Sequence, residues 1–302
     1  MAKKRSKRRT RKLFKSVLSL ILVVLAFFIY KCYQPEKESY EIPEGSAEFH
    51  FIDIGQGDAE LILVDGKAIL IDTGDIGSEY RKMLTDYLDR LNITELEYFV
   101  ATHPDSDHIG SAAYVVENYN VKNVIMSPKE HTSKTYENFI SALEEREYIN
   151  VINAQDKLGE SIFVGELEMK ILGPIGSYSA DDNNNPSVVI MARWGNTKVL
   201  LTGDAEKEAE SRILAEYKDF LDCDILKVGH HGSKTSTQRS FLKYVKPEYA
   251  IISCGEGNKH EHPDSLVLDI LKEYSVEVYR TDLQGSIVAT TDGESITFKT
   301  EK

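Results

Sequence analysis

The chain has 302 residues, 41% of them hydrophobic, enough for one large buried core or two modest ones. Its formal net charge is −13, but nine Lys and Arg lie within the first fifteen residues, so the remainder stands at about −22. A domain that acidic repels polyanions at long range, which argues against tight, non-specific binding of duplex nucleic acid.

Residues 1–12 form a basic tail without a single acid. The span Leu13 to Tyr30 is interrupted only by Lys15, Ser16 and Ser19. With its flank it reads as a transmembrane anchor over residues 13–31, close to the roughly 20 residues needed to cross a bilayer. The basic flank places the N-terminus in the cytoplasm and the rest of the chain outside the cell. No small-x-small cleavage site follows, because Phe28-Ile29-Tyr30-Lys31-Cys32-Tyr33 is bulky, so the anchor is expected to stay attached. Residues 32–46 read as a linker, rich in Pro, Glu, Ser and Gly. From residue 47 to 302 the chain reads as one compact domain.

Strands are predicted at Phe49 to Ile54, Glu60 to Val64 and Ala68 to Asp72, the last two joined by the hairpin turn Asp65-Gly66. Tyr80 to Leu91 has a helical period, with Met83, Leu84, Tyr87, Leu88 and Leu91 on one side. The strand Leu96 to Ala101 then runs into Thr102-His103-Pro104-Asp105-Ser106-Asp107-His108-Ile109-Gly110, followed by a helix. Four side chains of metal-ligand type within six positions, H-x-D-x-D-H, form the centre of the chain. Imidazole with carboxylate suits Zn, Mn or Fe. A polar helix cap is the plain alternative, but a cap needs one such residue and not four.

Further on, strands are predicted at 123–126, 162–164 and 169–172, and a helix at 135–147. A second hairpin, 187–194 with 198–202, turns at Gly195-Asn196. Helices at 205–217, 238–245 and 265–274 alternate with strands at 223–228 and 250–253, and the last strands lie near 276–279, 286–290 and 295–299. Such alternation indicates mixed sheets with helices outside. Chemistry-bearing residues gather at strand ends. Asp72 closes Ile69-Leu70-Ile71, Asp204 closes Val199-Leu200-Leu201 within Thr202-Gly203-Asp204, and His230-His231-Gly232-Ser233 follows Ile225-Leu226-Lys227-Val228. Gly55-Gln56-Gly57-Asp58 precedes a strand and so reads as a tight turn, not a phosphate loop. Cys223 and Cys254 read as buried thiols. His50, His131 and His260 read as strand or surface histidines.

These motifs together resemble the metallo-β-lactamase superfamily. Phe51-Ile52-Asp53-Ile54-Gly55-Gln56-Gly57-Asp58-Ala59, Asn184-Asn185-Pro186-Ser187 and Leu226-Lys227-Val228-Gly229-His230-His231-Gly232-Ser233 look like its ComEC-type competence branch, as do His262-Pro263 and Asp282-Leu283-Gln284-Gly285. The resemblance implies a four-layer αββα sandwich and two divalent metal ions, Zn or Mn. His103 and Asp105 would bind the first, Asp107 and His108 the second, and Asp204 both. His231, or else His230, would complete the second site, the other facing the substrate phosphate. Asp72 would orient a ligand histidine, and Asn185 would stand near the first site in place of a further family histidine. That replacement, with Asp105 where a histidine is commoner, makes the first site harder and tilts it towards Mn or Mg.

The implied activity is phosphodiester hydrolysis with water activated between two metals. Asp107, His230 and His262 are the catalytic candidates, with His230 or His262 as acid for the leaving alkoxide. The expected substrate is single-stranded nucleic acid, a nucleotide or an envelope phosphoester. Hydrolysis of a carboxylic ester, lactone or β-lactam is the rival chemistry, and a metal-poor surface scaffold the non-enzymatic one.

Overall fold

The computed structural model describes Ser19, residues 21–26, Tyr40 and residues 42–302. The chain divides into two units, Met1–Ser39 and Tyr40–Lys302. The expected basic tail and most of the expected anchor lie outside the described residues. No helix among the described residues is long and apolar enough to cross a membrane.

The second unit opens with β1 (Ala47–Phe51), β2 (Glu60–Val64) and β3 (Lys67–Ile71), followed by α1 (Ser78–Arg90), β4 (Glu95–Ala101), α2 (Ser106–Ile109) and α3 (Ala112–Asn118). Then come β5 (Asn120–Met126), α4 (Lys134–Glu144), β6 (Asn150–Asn153), β7 (Ser161–Val164), β8 (Leu167–Gly173), β9 (Val189–Trp194) and β10 (Thr197–Leu201). The remainder is α5 (Lys207–Tyr217), β11 (Ile225–Lys227), α6 (Arg239–Val245), β12 (Tyr249–Ile252), α7 (Ser265–Glu273), β13 (Glu277–Arg280), α8 (Thr281–Gln284), β14 (Ile287–Thr291) and β15 (Ile296–Thr300).

One sheet has the order β15-β14-β1-β2-β3-β4-β5-β6, the other β13-β12-β11-β10-β9-β8-β7. In each, antiparallel hairpins give way to parallel strands, β3 to β6 in the first and β10 to β13 in the second. The hairpin turn between β2 and β3 has positive φ at both Asp65 and Gly66, the primed turn that matches strand twist.

Side-chain alternation explains the layering. In β3, Ile69 and Ile71 enter the core between the sheets, while Ala68 and Leu70 face the helices. In β10, Val199 and Leu201 face inward and Leu200 outward. The outer cores are closed by Leu84, Leu88, Val115 and Phe139 on one side, and by Ile213, Phe241, Val267 and Leu271 on the other. The result is the expected αββα sandwich. Met83 departs from its expected place: it is 39% exposed, while Leu84, Tyr87 and Leu88 fill the buried stripe. Cys223 and Cys254 are both buried and free.

Buried Glu210 on α5 accepts hydrogen bonds from the backbone N–H of Thr237 and of Gln238, which ties α5 to the entry of α6. Burial pushes its carboxyl up to about 8, against those two donors. The fold therefore favours the protonated acid, and its contribution is complete below the ordinary value of 4.5. Stability should fall as pH rises from there through about 8. Urea midpoints measured at intervals across that window should show the decline, and Glu210→Gln should flatten it; an unchanged slope in the variant would assign the decline elsewhere.

Candidate metal centre

Strand β4 ends at Ala101, and the chain turns through His103 and Asp105 into α2. Asp72, just past β3, fixes this turn. It is fully buried, adopts a left-handed φ of 54°, and accepts hydrogen bonds from Thr102 N at 2.8 Å and Thr102 Oγ1 at 2.6 Å. Its Oδ2 also lies 2.7 Å from His108 Nδ1, which leaves His108 Nε2 pointing 3.3 Å from Asp204 Oδ1. Asp72→Asn should keep the fold but lose the charge that orients this ring. A roughly 10–100-fold loss of metal affinity is expected, read by chelator competition. An unaltered affinity would remove Asp72 from the site.

Asp204 arrives from the other sheet, after β10. Gly203 permits the approach: it has φ +49°, and a Cβ there would stand 2.9 Å from Thr102 Cβ. Asp204 Oδ2 lies 3.7 Å from His103 Nε2 and 3.8 Å from His231 Nε2. His231 Nε2 is also 3.3 Å from Asp107 Oδ2, and His103 Nε2 is 3.9 Å from Asp105 Oδ2. His230 and His231 both take left-handed backbone angles, φ 49° and 54°, a strained pair of the kind found at functional sites. The twist separates their roles. His231 is buried, its Nδ1 bonded to the carbonyl of Ser253, and it joins the cluster. His230 turns its ring into the cleft, its Nδ1 3.0 Å from Glu206 Oε1.

Whether these residues suit cations can be tested on unpartnered atoms. Nε2 of His103, His108 and His231 and Oδ1 of Asp204 are all buried without a hydrogen-bond partner. Unsatisfied polar atoms cost stability unless something binds them. Ligand atoms of His103, His108 and Asp204 fall within 4.8 Å of one another, as do those of Asp107, His108 and His231. The local field has the right sign. Against the lowering effect of burial, Asp204 and Asp72 raise His108 well above its ordinary value, and Asp204 and Asp58 raise His231 to about 10. Burial takes His103 the other way, to about 3, which keeps its ring neutral and free to ligate. The donor set fits divalent metal.

Residues 52–256 match the metallo-beta-lactamase superfamily. The chain belongs to that superfamily. Among curated proteins it is similar to ComE operon protein 3 of Bacillus subtilis, with 32% identity over 281 residues, 88% of this chain and 34% of that protein. Recombination protein 2 of Haemophilus influenzae is 33% identical over 269 residues, again 88% of this chain and 31% of that protein. The chain thus spans about a third of the length of these relatives. Among solved structures, the fold resembles the metallo-beta-lactamase fold protein YhfI from Bacillus subtilis, with a TM-score of 0.54 at 12% identity, covering 81% of this chain and 100% of that one. CmlA, a diiron beta-hydroxylase from Streptomyces venezuelae, gives 0.53 at 13% identity, covering 81% of this chain and 54% of that one.

Within this superfamily framework, the structure gathers His103, Asp107, His108, Asp204 and His231 closely, with Asp105 at the edge. Asp105 Oδ1 is held by Asn183 Nδ2 at 2.7 Å. Asn185 does not reach the cluster as expected. Its amide bonds Asp182 and its Oδ1 accepts from Ala209 N, so it anchors the loop to α5. Elsewhere in the loop, Asn183 donates to Asp105, Asn184 meets Glu206 and His230, and Ser187 Oγ accepts from Asp204 N. His262 lines the cleft, its ring 5.6 Å from that of His230.

Sequence reasoning missed a charged group behind the cluster. Asp58, from the presumed plain turn, lies 3.2 Å from His231 Nδ1 and accepts from Lys227 Nζ at 2.6 Å, with Glu60 3.7 Å from the same ammonium. A lysine at the end of a buried strand facing an acid after a glycine turn was the available signal.

Proposed function

We propose that this chain is a membrane-anchored, extracellular, metal-dependent phosphodiesterase. The observation that carries the catalytic part is Asp204, which stands between the unpartnered Nε2 atoms of His103, His108 and His231. His103, Asp105 and Asp204 would hold one divalent ion, and Asp107, His108, His231 and Asp204 a second; oxygen-rich ligation at the first favours Mn over Zn there. Divalent ions so placed supply Lewis acidity, which makes water acidic enough to ionise near neutral pH and offsets charge on phosphate oxygens.

The chain's own residues do the rest. His230 is held by Glu206 with its Nε2 on the cleft side, 3.7 Å from Asp204 Oδ2. Against burial, Glu206 and Asp204 raise its pKa, so its Nε2–H can bind a phosphate oxygen and pass a proton to the leaving alkoxide. Burial and the rings of His230 and His231 push His262 down to about 4. A ring neutral at pH 7 suits hydrogen bonding to substrate better than proton donation, which favours His230 as the acid. The similarity to ComE operon protein 3 and Recombination protein 2 supports a nucleic-acid-derived or other phosphodiester substrate. The basic flank and apolar run at residues 1–31 support the anchor.

The test compares bis-p-nitrophenyl phosphate with a chromogenic β-lactam and a lactone, each with Mn or Zn. Preferential diester turnover is expected. Turnover of the β-lactam or lactone alone would instead establish the rival hydrolase.

A further inference from the structure

The cleft over the cluster has a volume of ≈550 Å³, the size of a small-molecule site. Asp105, Asp107 and Asp204 form its floor, and Asp75 and Glu256 lie on its wall. A second hollow of ≈460 Å³ shares Asp105 with it and brings in Asp181, Asp182 and Glu206. Lys259 is the one Lys or Arg lining either space among the described residues. Lys129 donates to the carbonyl of Ala180 beside the second hollow, yet pairs with neither Asp181 nor Asp182. Asp75, Asp181, Asp182 and Glu256 take part in none of the ion pairs among the described residues.

Two divalent ions would neutralise the floor, where a single phosphate would sit, but not the walls. A strand of nucleic acid carries a charge about every 3.4 Å of helix axis. Its flanking phosphates would therefore meet acid at Asp75 and Glu256 within the cleft and at Asp181 and Asp182 in the adjoining hollow. Neutral groups, by contrast, await a ligand. Gln56 Nε2 and His262 Nδ1, both on residues lining the cleft, are buried and lack partners. Asn258 holds the loop that carries His262: its Oδ1 accepts from His260 N and His262 N, and its Nδ2 donates to Gly255 O and His262 O.

We infer that the natural substrate is a compact phosphodiester of one or two charges, recognised by neutral donors, and not a polyanionic strand. This rests on the phosphodiesterase reading and narrows it. The full chain, with Mn, is to be assayed on the dinucleotide dTpdT and on dT20 at low and high NaCl, alongside the Asp181→Lys/Glu256→Lys double variant. Both substituted residues are exposed. Expected at low salt is kcat/KM per bond at least about tenfold higher for dTpdT, because the walls repel flanking phosphates. Salt at about 0.2 M, where the screening length is under 10 Å, should narrow that gap. Charge reversal should narrow it at low salt by raising the dT20 value severalfold more than the dTpdT value. The basic stretch at residues 3–15 is common to both proteins and favours the longer strand, so it cannot create a preference for the dinucleotide. Faster cleavage of dT20 that weakens with salt, as for ordinary nucleic-acid binders, would overturn the inference while leaving the phosphodiesterase reading intact. Failure to cleave dTpdT, dT20 and bis-p-nitrophenyl phosphate with any metal would overturn both.

Discussion

Asp204→Asn should abolish both tight metal binding and turnover while leaving the sandwich folded. Asp204 stands opposite three imidazoles, at 3.3 Å from His108, 3.7 Å from His103 and 3.8 Å from His231, and among the described residues it contributes the only carboxylate within reach of all three. On the proposed assignment, removing its charge would take a ligand from both ions at once. The loss should therefore exceed the roughly 10–100-fold expected when a residue that only orients a ligand is changed. Burial raises the carboxyl, but the imidazoles of His108 and His231 outweigh it and hold Asp204 well below the usual carboxylate range. The side chain is thus anionic at every working pH, as a ligand must be. Metal content after dialysis and kcat/KM on bis-p-nitrophenyl phosphate would be read together. Asparagine at this position with full metal content and full turnover would show that the centre does not depend on Asp204.

Lys227→Met should destabilise the fold strongly. Lys227 is 1% exposed and lies on the same side of β11 as Ile225, between the two sheets. Glu60 sits on the matching inner side of β2, in line with Ile62 and Val64, and Asp58 closes the triad. The ammonium therefore bridges the two halves of the sandwich directly behind His231. Despite burial, Asp58 and Glu60 raise Lys227, and burial with Asp58 raises Glu60 well above its ordinary value, so one lysine serves two acids. Deleting one partner of a buried pair leaves an uncompensated charge and typically costs roughly 3–5 kcal/mol. Denaturant unfolding of Lys227→Met should show a loss of that order, and neutralising Asp58 and Glu60 as well should recover part of it. Equal stability of the single variant and the parent would mean that the acids are neutral without Lys227 and that the pair does not hold the sheets.

The sequence was most informative where a regular strand stops at a reactive side chain. Asp72, His103, Asp204 and His231 each follow a buried strand, so apolar runs ending in a reactive side chain located them without any knowledge of pairing. The choice between His230 and His231 was not legible, because both occupy left-handed backbone and only the fold shows which ring turns inward. Asp58 and Lys227 were missed for a related reason. Alternation shows that Lys227 lies opposite Leu226, but not that its face is the inner one, where only a paired charge is tolerated. That Asn183 and Asn184 reach the site where Asn185 was expected was not legible either, because in an irregular loop adjacent positions point in unrelated directions. Strand ends slipped as well. The apolar run through Ile54 predicts strand, yet pairing stops at Phe51, because the chain must leave the sheet to bring Gln56 to the cleft and Asp58 behind His231. Polar Asn150 and Asn153 hid β6 altogether, an edge strand paired on one side only.

The most direct single measurement is a titration of metal-stripped protein with Mn, following bound metal and bis-p-nitrophenyl phosphate hydrolysis in the same samples. Binding of two equivalents per chain, with turnover appearing as they fill and absent in Asp204→Asn, is the expected result. Full diester turnover in thoroughly stripped protein, or two tightly bound equivalents without turnover of any phosphodiester, would contradict a metal-dependent phosphodiesterase centred on Asp204.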